Sequence, residues 1–350
     1  MRLDRLRNIL PGGIDAALIT DGLNVRYLSG VSYTDGFLLI TREKAFLFAD
    51  SRYIEVAKRD ADCGFEVVLL DKRKTELISR YAPDISVIGF EDDALTCAEL
   101  AMYKNGLPSV EFSPMGALVE SLRNEKSEAE KECIVKAQRI AEAAFEHILG
   151  YISTDVTETD VALELEYYMR KNGADGIAFD TIAASGAASS MPHAVPRGVR
   201  LEKGFLTMDF GAKFNGYCSD MTRTVCIGKP TAEMKRVYET VLCAQNAALK
   251  YISAGKKCAD ADKVARDIIA SAGYGECFGH SLGHGVGLYI HEGISLSPRS
   301  VGTLKKRNVV TVEPGIYLEG RFGVRIEDMV YVTENGNENL TKAKKELIII

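Results

Sequence analysis

Short apolar runs alternate with segments of helical periodicity along the first 120 residues of the chain. The apolar runs that predict β-strands lie at 16–20, 36–40, 45–49, 66–70 and 86–90. The segments 51–60 and 93–106 predict helices, and Gly106 ends the second of them. This alternation of strands and helices predicts an α/β domain.

The hydrophobic pattern changes near residue 128, where a longer helix is predicted. Ser127 and Glu130 have the spacing of a capping box, which marks a helix start. Apolar residues then recur at helical spacing at Ile134, Ala137, Ala141, Ala144, Phe145 and Ile148. The charged segment 121–127 precedes this helix, so we predict an N-terminal domain over 1–121 and a second domain over 122–350.

The second domain contains a coarse internal repetition. Predicted helices at 128–150 and 158–172 lead into one β-region, and predicted helices at 231–252 and 260–272 lead into another. Each half therefore consists of two helices followed by strands, although the two halves share little sequence. We predict an α+β architecture with two similar halves.

Composition and charge narrow the possible partners. The chain has 350 residues, of which 46% are hydrophobic and 26% charged, as in soluble globular proteins. A net charge of −6 and the lack of a basic block argue against nucleic acid and membrane surfaces as partners. The start of the chain resembles no signal peptide, and the apolar runs are too short to span a bilayer. The eight cysteines form no C-x-x-C pair, so we expect free thiols and a cytoplasmic location.

Candidate chemistry begins at a predicted hairpin. Asn215–Gly216 is a strong two-residue turn signal. A turn centred there pairs Asp209 with Thr222 and Gly211 with Asp220, which places both aspartates on one face of adjacent strands. Two carboxylates held this close repel each other unless a cation or a shared proton lies between them.

Two glutamates and a histidine cluster accompany these aspartates. Glu313 and Glu327 lie on flanking strands of the second β-region, although Pro314 prevents a derivation of their facing. His280, His284 and His291 all fall within "GHSLGHGVGLYIHEG", whose glycines disfavour a helical zinc motif. On an extended strand the first two would share a face, and the third would lie opposite unless a bulge intervenes.

One nitrogen and several carboxylate oxygens could hold two divalent ions. An oxygen-rich donor set favours Mn²⁺, Co²⁺ or Fe²⁺ over a structural Zn²⁺. Any one of these acids alone would be read as a solvated strand residue. The combination of four acids with a histidine cluster favours a metal site.

Five segments together resemble the pita-bread metallopeptidases, in particular the proline-specific branch of aminopeptidase P and prolidase. They are "MPHAVP", "MDFGAKFNGYCSDMTRT", "GHSLGHGVGLYIHEG", "VEPGIY" and "GVRIED". The resemblance is close over about residues 122–350. The first 120 residues, including "ADSRY" at 49–53, are more loosely similar to the creatinase-type N-terminal domain. The implied architecture is this α/β domain followed by a pita-bread catalytic domain.

The resemblance implies a role for each matching residue. The implied ligands of two divalent ions, Mn²⁺ first and Co²⁺, Fe²⁺ or Zn²⁺ as alternatives, are Asp209, Asp220, His284, Glu313 and Glu327. The implied catalytic residues are His193, His291 and Glu313, and the implied substrate-binding residues are His280, Arg325 and Tyr317. Tyr289 departs from the family pattern, which often has an acid there, and His147 matches no family residue.

The implied activity is hydrolysis of the bond between a first residue and a proline at the second position of small peptides. We take Xaa-Pro aminopeptidase as the first interpretation and Xaa-Pro dipeptidase as the alternative. A non-catalytic peptide-binding protein on the same fold is a third, disfavoured because all five ligand positions are filled. The family also implies a homodimer.

Overall fold

The computed structural model describes residues 2–32 and 35–350, and its first unit, which ends at Arg123, is built on a mixed six-stranded sheet. The strands are β1 Ala16–Ile19, β2 Phe37–Thr41, β3 Ala45–Ala49, β4 Glu66–Leu69, β5 Val87–Phe90 and β6 Glu111–Pro114. Their order is β4-β3-β2-β1-β5-β6, with β2 antiparallel to β1 and β3 and the other neighbours parallel. The α/β prediction for this region is confirmed.

Helices alternate with these strands along the chain. They are α1 Arg2–Ile9, α2 Gly22–Ser29, α3 Ile54–Asp60, α4 Lys74–Tyr81, α5 Cys97–Gly106 and α6 Leu118–Arg123. Helix α5 begins after Thr96, whose side chain forms a capping box with Glu99. The central strands β1, β2 and β3 are buried on both faces, which explains why their sequences are continuous apolar runs. Strand β6 and the short helices α1, α2, α4 and α6 were not predicted.

The second unit begins at Asn124 and contains two helix pairs. The helices are α7 Glu128–Leu149, α8 Glu158–Lys171, α9 Ala232–Tyr251 and α10 Cys258–Ser271. All four agree closely with the predicted segments, and the capping box of Ser127 and Glu130 is present. Short 3₁₀ turns occur at Gly186–Ser190 and Gly275–Cys277.

The strands of this unit fall into two groups. The first group is β7 Gly176–Ile177, β8 Ile182–Ser185, β9 Gly204–Phe210, β10 Ala212–Phe214, β11 Tyr217–Cys218 and β12 Met221–Ile227. The second group is β13 Gly283–Gly285, β14 Glu292–Leu296, β15 Val309–Val312, β16 Gly315–Leu318, β17 Phe322–Arg325, β18 Asp328–Thr333 and β19 Gly336–Asn339. Strands β8, β9 and β12 form one antiparallel sheet, and β13, β14, β15, β18 and β19 form another.

Each helix pair packs against the strands that follow it. One hydrophobic core joins α7 and α8 to β8, β9 and β12, and a second joins α9 and α10 to the strands of the second group. The predicted organisation of two halves, each with two helices and a β-region, is therefore confirmed. Within the described ranges 2–32 and 35–350, no helix has both the length and the apolar character needed to span a bilayer.

Candidate metal centre

The Asn215–Gly216 turn sets the register of the hairpin that carries the two aspartates. Both turn residues have positive φ, 47° and 75°, as a type I′ turn requires. Asp209 on β9 pairs with Thr222 on β12, as predicted, and Asp220 lies just before β12. The turn in the local sequence therefore sets the backbone positions of Asp209 on β9 and of Asp220 next to β12.

The remaining acids come from the second β-region. Glu313 directly follows β15, and its backbone N–H donates to Leu282. Glu327 lies between β17 and β18, and its backbone N–H donates to Thr222 of the aspartate hairpin. The bond from Glu327 to Thr222 joins the two β-regions, which are far apart in sequence.

His284 lies on β13 among these carboxylates. Its Nε2 is 3.3 Å from Glu313 Oε1 and 3.5 Å from Asp220 Oδ2. One side-chain donor atom each from Asp220, His284 and Glu327 lies within 4.8 Å of the other two, a spacing that a single ion can bridge. Asp209 joins the group through Arg325, whose Nη2 is 2.6 Å from Asp209 Oδ2.

The cluster lines a cavity of about 800 Å³. His193 and His291, predicted to be catalytic, and His280, predicted to bind substrate, line the same cavity as the predicted ligands. The three clustered histidines do not lie on one extended strand, because β13 ends at Gly285. The loop 286–291 reverses the chain and brings His291 to the same cavity as His280 and His284. Tyr317 is not part of the cavity wall. It reaches the site through hydrogen bonds to His280 and Arg325.

The electrostatics of the cluster are those of crowded carboxylates. Burial and the neighbouring charge of Glu327 raise the pKa of Asp220 well above its usual range. Burial and the charges of Glu313 and Asp209 do the same to the pKa of Glu327. Burial also favours the neutral form of Glu313, but the hydrogen bond and charge of His284 outweigh it and lower its pKa to about 2. A bound cation would relieve the repulsion among these groups.

Two carboxylate oxygens have no partner in the protein. Asp209 Oδ1 and Glu327 Oε1 are buried and accept no hydrogen bond among the residues that the structure describes. Such buried orphan acceptors are costly and call for an explanation. Oxygen donors of this kind, together with one imidazole, fit a divalent cation. The chemistry of these donors therefore fits a divalent metal site.

The second oxygen of each of these two carboxylates accepts a hydrogen bond from the protein. Arg325 donates through Nη2 to Asp209 Oδ2 and through Nε to Thr222 Oγ1 at 3.0 Å. Because a guanidinium only donates, the Thr222 hydroxyl must direct its own proton to Glu327 Oε2, 2.7 Å away. Arg325 and Thr222 thus fix both carboxylates while their other oxygens stay available.

Tyr317 and His280 complete this support. Arg325 Nη1 donates to the Tyr317 hydroxyl at 2.8 Å, and that hydroxyl lies 2.8 Å from His280 Nε2. His280 Nδ1 is 2.8 Å from the Ser281 carbonyl, which can only accept, so Nδ1 carries the proton. Burial lowers the pKa of His280 and favours this neutral form. Its Nε2 therefore accepts from Tyr317.

Thr222 was predicted only as the strand partner of Asp209, and its contacts at the site were not predicted. The predicted hairpin register placed it directly opposite Asp209, and this position was the available signal. Its contacts with Arg325 and Glu327 depend on segments more than 100 positions away, so its role was not visible in the local sequence.

Comparison with known proteins identifies the family. Residues 132–334 match metallopeptidase family M24, and residues 2–124 match the creatinase/prolidase N-terminal domain. The chain belongs to metallopeptidase family M24. As an M24 member it is a hydrolase of the pita-bread fold, and the prediction of the proline-specific branch is confirmed.

Relatives match over nearly the whole chain. An Xaa-Pro dipeptidase of Pyrococcus horikoshii is 40% identical over 96% of this chain and 95% of its own. The structure of an Xaa-Pro dipeptidase from Bacillus anthracis is 43% identical, covers 100% of this chain and 99% of its own, and has a TM-score of 0.97. The structure of an X-Pro aminopeptidase from Thermotoga maritima is 39% identical, covers 100% of both chains, and has a TM-score of 0.93.

Proposed function

We propose that this M24 hydrolase is an Xaa-Pro dipeptidase that splits dipeptides with proline at the second position. The convergence of Asp209, Asp220, His284, Glu313 and Glu327 on one cavity is the observation that carries the hydrolytic part of the proposal. The names of two relatives similar over their full length favour the dipeptidase alternative over the aminopeptidase, our first interpretation from sequence.

We further propose that these five side chains hold two divalent cations, with Mn²⁺ as the first candidate. The orphan oxygens of Asp209 and Glu327 and the repulsion within the cluster support this assignment. When bound, such cations would activate the attacking water and polarise the scissile carbonyl.

The chain's own residues would then position and protonate the substrate. Glu313, which is ionised, would take the proton of the attacking water and pass it to the leaving proline nitrogen. His291 lines the cavity and would hydrogen-bond the oxyanion that develops on the carbonyl. His193 also lines the cavity and would contact the substrate. Arg325 and Tyr317 would act behind the site by fixing Asp209 and His280.

A second candidate is an Xaa-Pro aminopeptidase that accepts longer peptides. The Thermotoga maritima relative carries this name, and the cavity of about 800 Å³ lies toward the upper end of ligand pockets, which span roughly 300–1,000 Å³. The peptide length that the enzyme prefers depends on how the cavity closes around a bound substrate.

One assay separates the candidates. Protein stripped of metal with a chelator is reloaded with Mn²⁺ and incubated with Leu-Pro and with Leu-Pro-Gly. Cleavage of Leu-Pro alone supports the dipeptidase, and cleavage of both supports the aminopeptidase. No cleavage with Mn²⁺, Co²⁺, Fe²⁺ or Zn²⁺ would contradict both.

Two variants make this assay specific to the proposed site. Asp220→Asn removes a proposed ligand, and we expect it to lose both activity and Mn²⁺ binding in titration calorimetry. Asp180→Asn is the matched control, because Asp180 is an exposed acid at the same cavity outside the donor cluster. It should retain Mn²⁺ binding.

The same proposal includes an oligomeric state and a location. We expect a homodimer, which sedimentation velocity tests directly. The eight free cysteines support a reducing location such as the cytoplasm, which fractionation of the source cells would test.

A further inference from the structure

A fully buried ion pair lies next to the proposed catalytic histidine and has no part in the chemistry above. Lys126 Nζ is 3.0 Å from Glu292 Oε2, and the two side chains are only 2% and 1% exposed. Burying two charges is expensive and is often no more stabilising than an apolar pair. We therefore look for the role of this pair in the segment that it holds in place, and not in its contribution to stability.

Glu292 closes the loop that links β13 to β14, residues 286–291. Its Oε1 accepts the backbone N–H of Tyr289 at 3.1 Å, while Oε2 faces Lys126. The carboxylate also fills the space beside Gly287, where a Cβ would lie 2.2 Å from Glu292 Oε2. The loop is thus folded around this carboxylate.

Lys126 comes from a rigidly held segment. Its N–H donates to the Arg307 carbonyl at 2.9 Å, and its carbonyl accepts from Arg307 Nε at 2.7 Å. Asn308 Nδ2 donates to the Asn124 carbonyl two residues earlier. The helix α7 begins directly afterwards at Glu128. The ammonium group therefore reaches Glu292 from a fixed anchor.

The loop tethered in this way begins beside His284 and ends at His291. The two rings lie 4.3 Å apart between centroids in an edge-on arrangement. His291 is exposed, and within the described part of the chain its ring makes no hydrogen bond to protein. Its position therefore depends on the loop backbone more than on contacts of its own.

We propose that Lys126 and Glu292 are positioning residues that hold the 286–291 loop so that His291 faces the cluster around His284. The inference about catalysis rests on the proposed function, but the inference about position does not. A histidine that stabilises a developing charge must be placed to within a fraction of an ångström, and misplacement by about 1 Å can cost about 10²-fold in rate. The tether supplies that placement from outside the cavity.

The experiment separates positioning from folding. Lys126→Met alone removes the ammonium group that faces a buried carboxylate, so we expect a clear loss of thermal stability. Lys126→Met combined with Glu292→Gln removes both charges but keeps an acceptor for the Tyr289 N–H, so most of that stability should return. Lys131→Met is the control, because Lys131 forms a more exposed pair with Glu338.

Two readouts are measured on each variant. The first is the imidazole NMR spectrum of metal-free protein, which has five histidines, with His147 as a reference remote from the loop. The second is kcat and KM on Leu-Pro. We expect the double variant to shift the His291 resonance and to lower kcat about tenfold or more, with KM much less affected. The Lys131→Met protein should match the wild type.

A double variant that folds with an unmoved His291 resonance and wild-type kcat would overturn the proposal. If the double variant does not fold, Glu292→Asp takes its place, because it keeps the charge but shortens the tether. A shifted His291 resonance in Glu292→Asp supports the tether, and an unchanged one contradicts it. If wild-type protein does not cleave Leu-Pro, the proposed function fails, while the NMR comparison still decides the positioning.

Discussion

Arg325 and Asp209 form a nearly buried ion pair, 2.6 Å between Nη2 and Oδ2, directly behind the proposed metal cluster. The pair ties back one oxygen of Asp209 and leaves Oδ1 without a protein partner. The guanidinium also opposes the effect of burial, which raises the pKa of Asp209. Arg325 thus orients a proposed metal ligand through a direct ion pair.

Replacing this arginine should weaken metal binding. In Arg325→Met the pKa of Asp209 rises further, so protons compete with the cation for the carboxylate. We expect Mn²⁺ affinity to fall about 10–100-fold, the usual cost of losing a residue that orients a ligand. Titration calorimetry on stripped protein measures it. Arg321→Met, which removes an exposed pair with Glu233, is the control, and equal losses in both variants would refute the prediction.

The Thr222 hydroxyl should contribute far more to Mn²⁺ affinity and kcat than the hydroxyl of Thr224 on the same strand. Thr222→Val removes the donor to Glu327 Oε2 and the acceptor for Arg325 Nε. We expect a loss of about 10–100-fold in Mn²⁺ affinity or kcat. Thr222→Ser keeps the hydroxyl and should restore most of it.

Thr224→Val is the matched control for this prediction. Thr224 is equally buried on β12, but its hydroxyl bonds to Thr207 and to the Arg325 carbonyl and contacts no proposed ligand. The same affinity in Thr222→Val and Thr224→Val would show that Thr222 has no special role.

Charge repulsion in the metal-free cluster should make a ligand mutation stabilising. Burial and Glu327 raise the pKa of Asp220, so ionised Asp220 is costly without a cation. We expect metal-free Asp220→Asn to unfold about 2–4 °C above metal-free wild type, which corresponds to about 1 kcal/mol. Calorimetry measures both melting temperatures.

Adding metal should make the wild type more stable than Asp220→Asn. Mn²⁺ at about 100 times its Kd should stabilise the wild type by about 2.7 kcal/mol. The same addition should leave Asp220→Asn nearly unchanged. An Asp220→Asn protein that is less stable than wild type without metal would count against carboxylate repulsion.

Glu158 should contribute a pH-dependent part of the stability. It accepts two hydrogen bonds from Ser185 and a bidentate pair from Arg197. Burial raises the pKa of Glu158, but these donors outweigh it and hold the pKa below the usual 4.5. Because the folded-state pKa is depressed, this stabilisation is complete above about pH 4.5 and is lost as the pH falls through the folded-state pKa.

Glu158→Gln should therefore lower the free energy of unfolding at pH 7 by about 1.5–3 kcal/mol and flatten its decline in acid. Urea unfolding between pH 7 and pH 3 measures both effects. Asp155→Asn, which removes an exposed pair with Arg200, should change neither. A parallel decline in Glu158→Gln and wild type would contradict the assignment.

Periodicity and turn chemistry were sufficient for much of the secondary structure. The helices α7 to α10 follow from long amphipathic repeats, and the Ser127 capping box fixes the start of α7. The Asn215–Gly216 turn gave the register that places Asp209 opposite Thr222. Short helices such as Arg2–Ile9 were missed, because eight residues carry too little periodicity to stand out.

The assembly of the site was accessible to the sequence only through family resemblance. Local reasoning could not orient Glu313 and Glu327 after Pro314, and it left His291 on the opposite face unless a bulge occurred. In the structure β13 ends at Gly285, and the loop 286–291, which the local pattern did not predict, brings His291 to the cavity.

The sequence by itself determined the two halves of the second unit, the aspartate hairpin and the residue types of a metal site, because periodicity and turn preference act over a few neighbouring positions. Only the tertiary structure decided which carboxylate oxygens remain without partners, and that Arg325 donates to Asp209 while Thr222 donates to Glu327. It also decided that Lys126 pairs with Glu292, 166 positions away. Such contacts arise when whole helices and strands pack together. Their energies depend on how deeply the groups are buried, which the local sequence pattern does not determine.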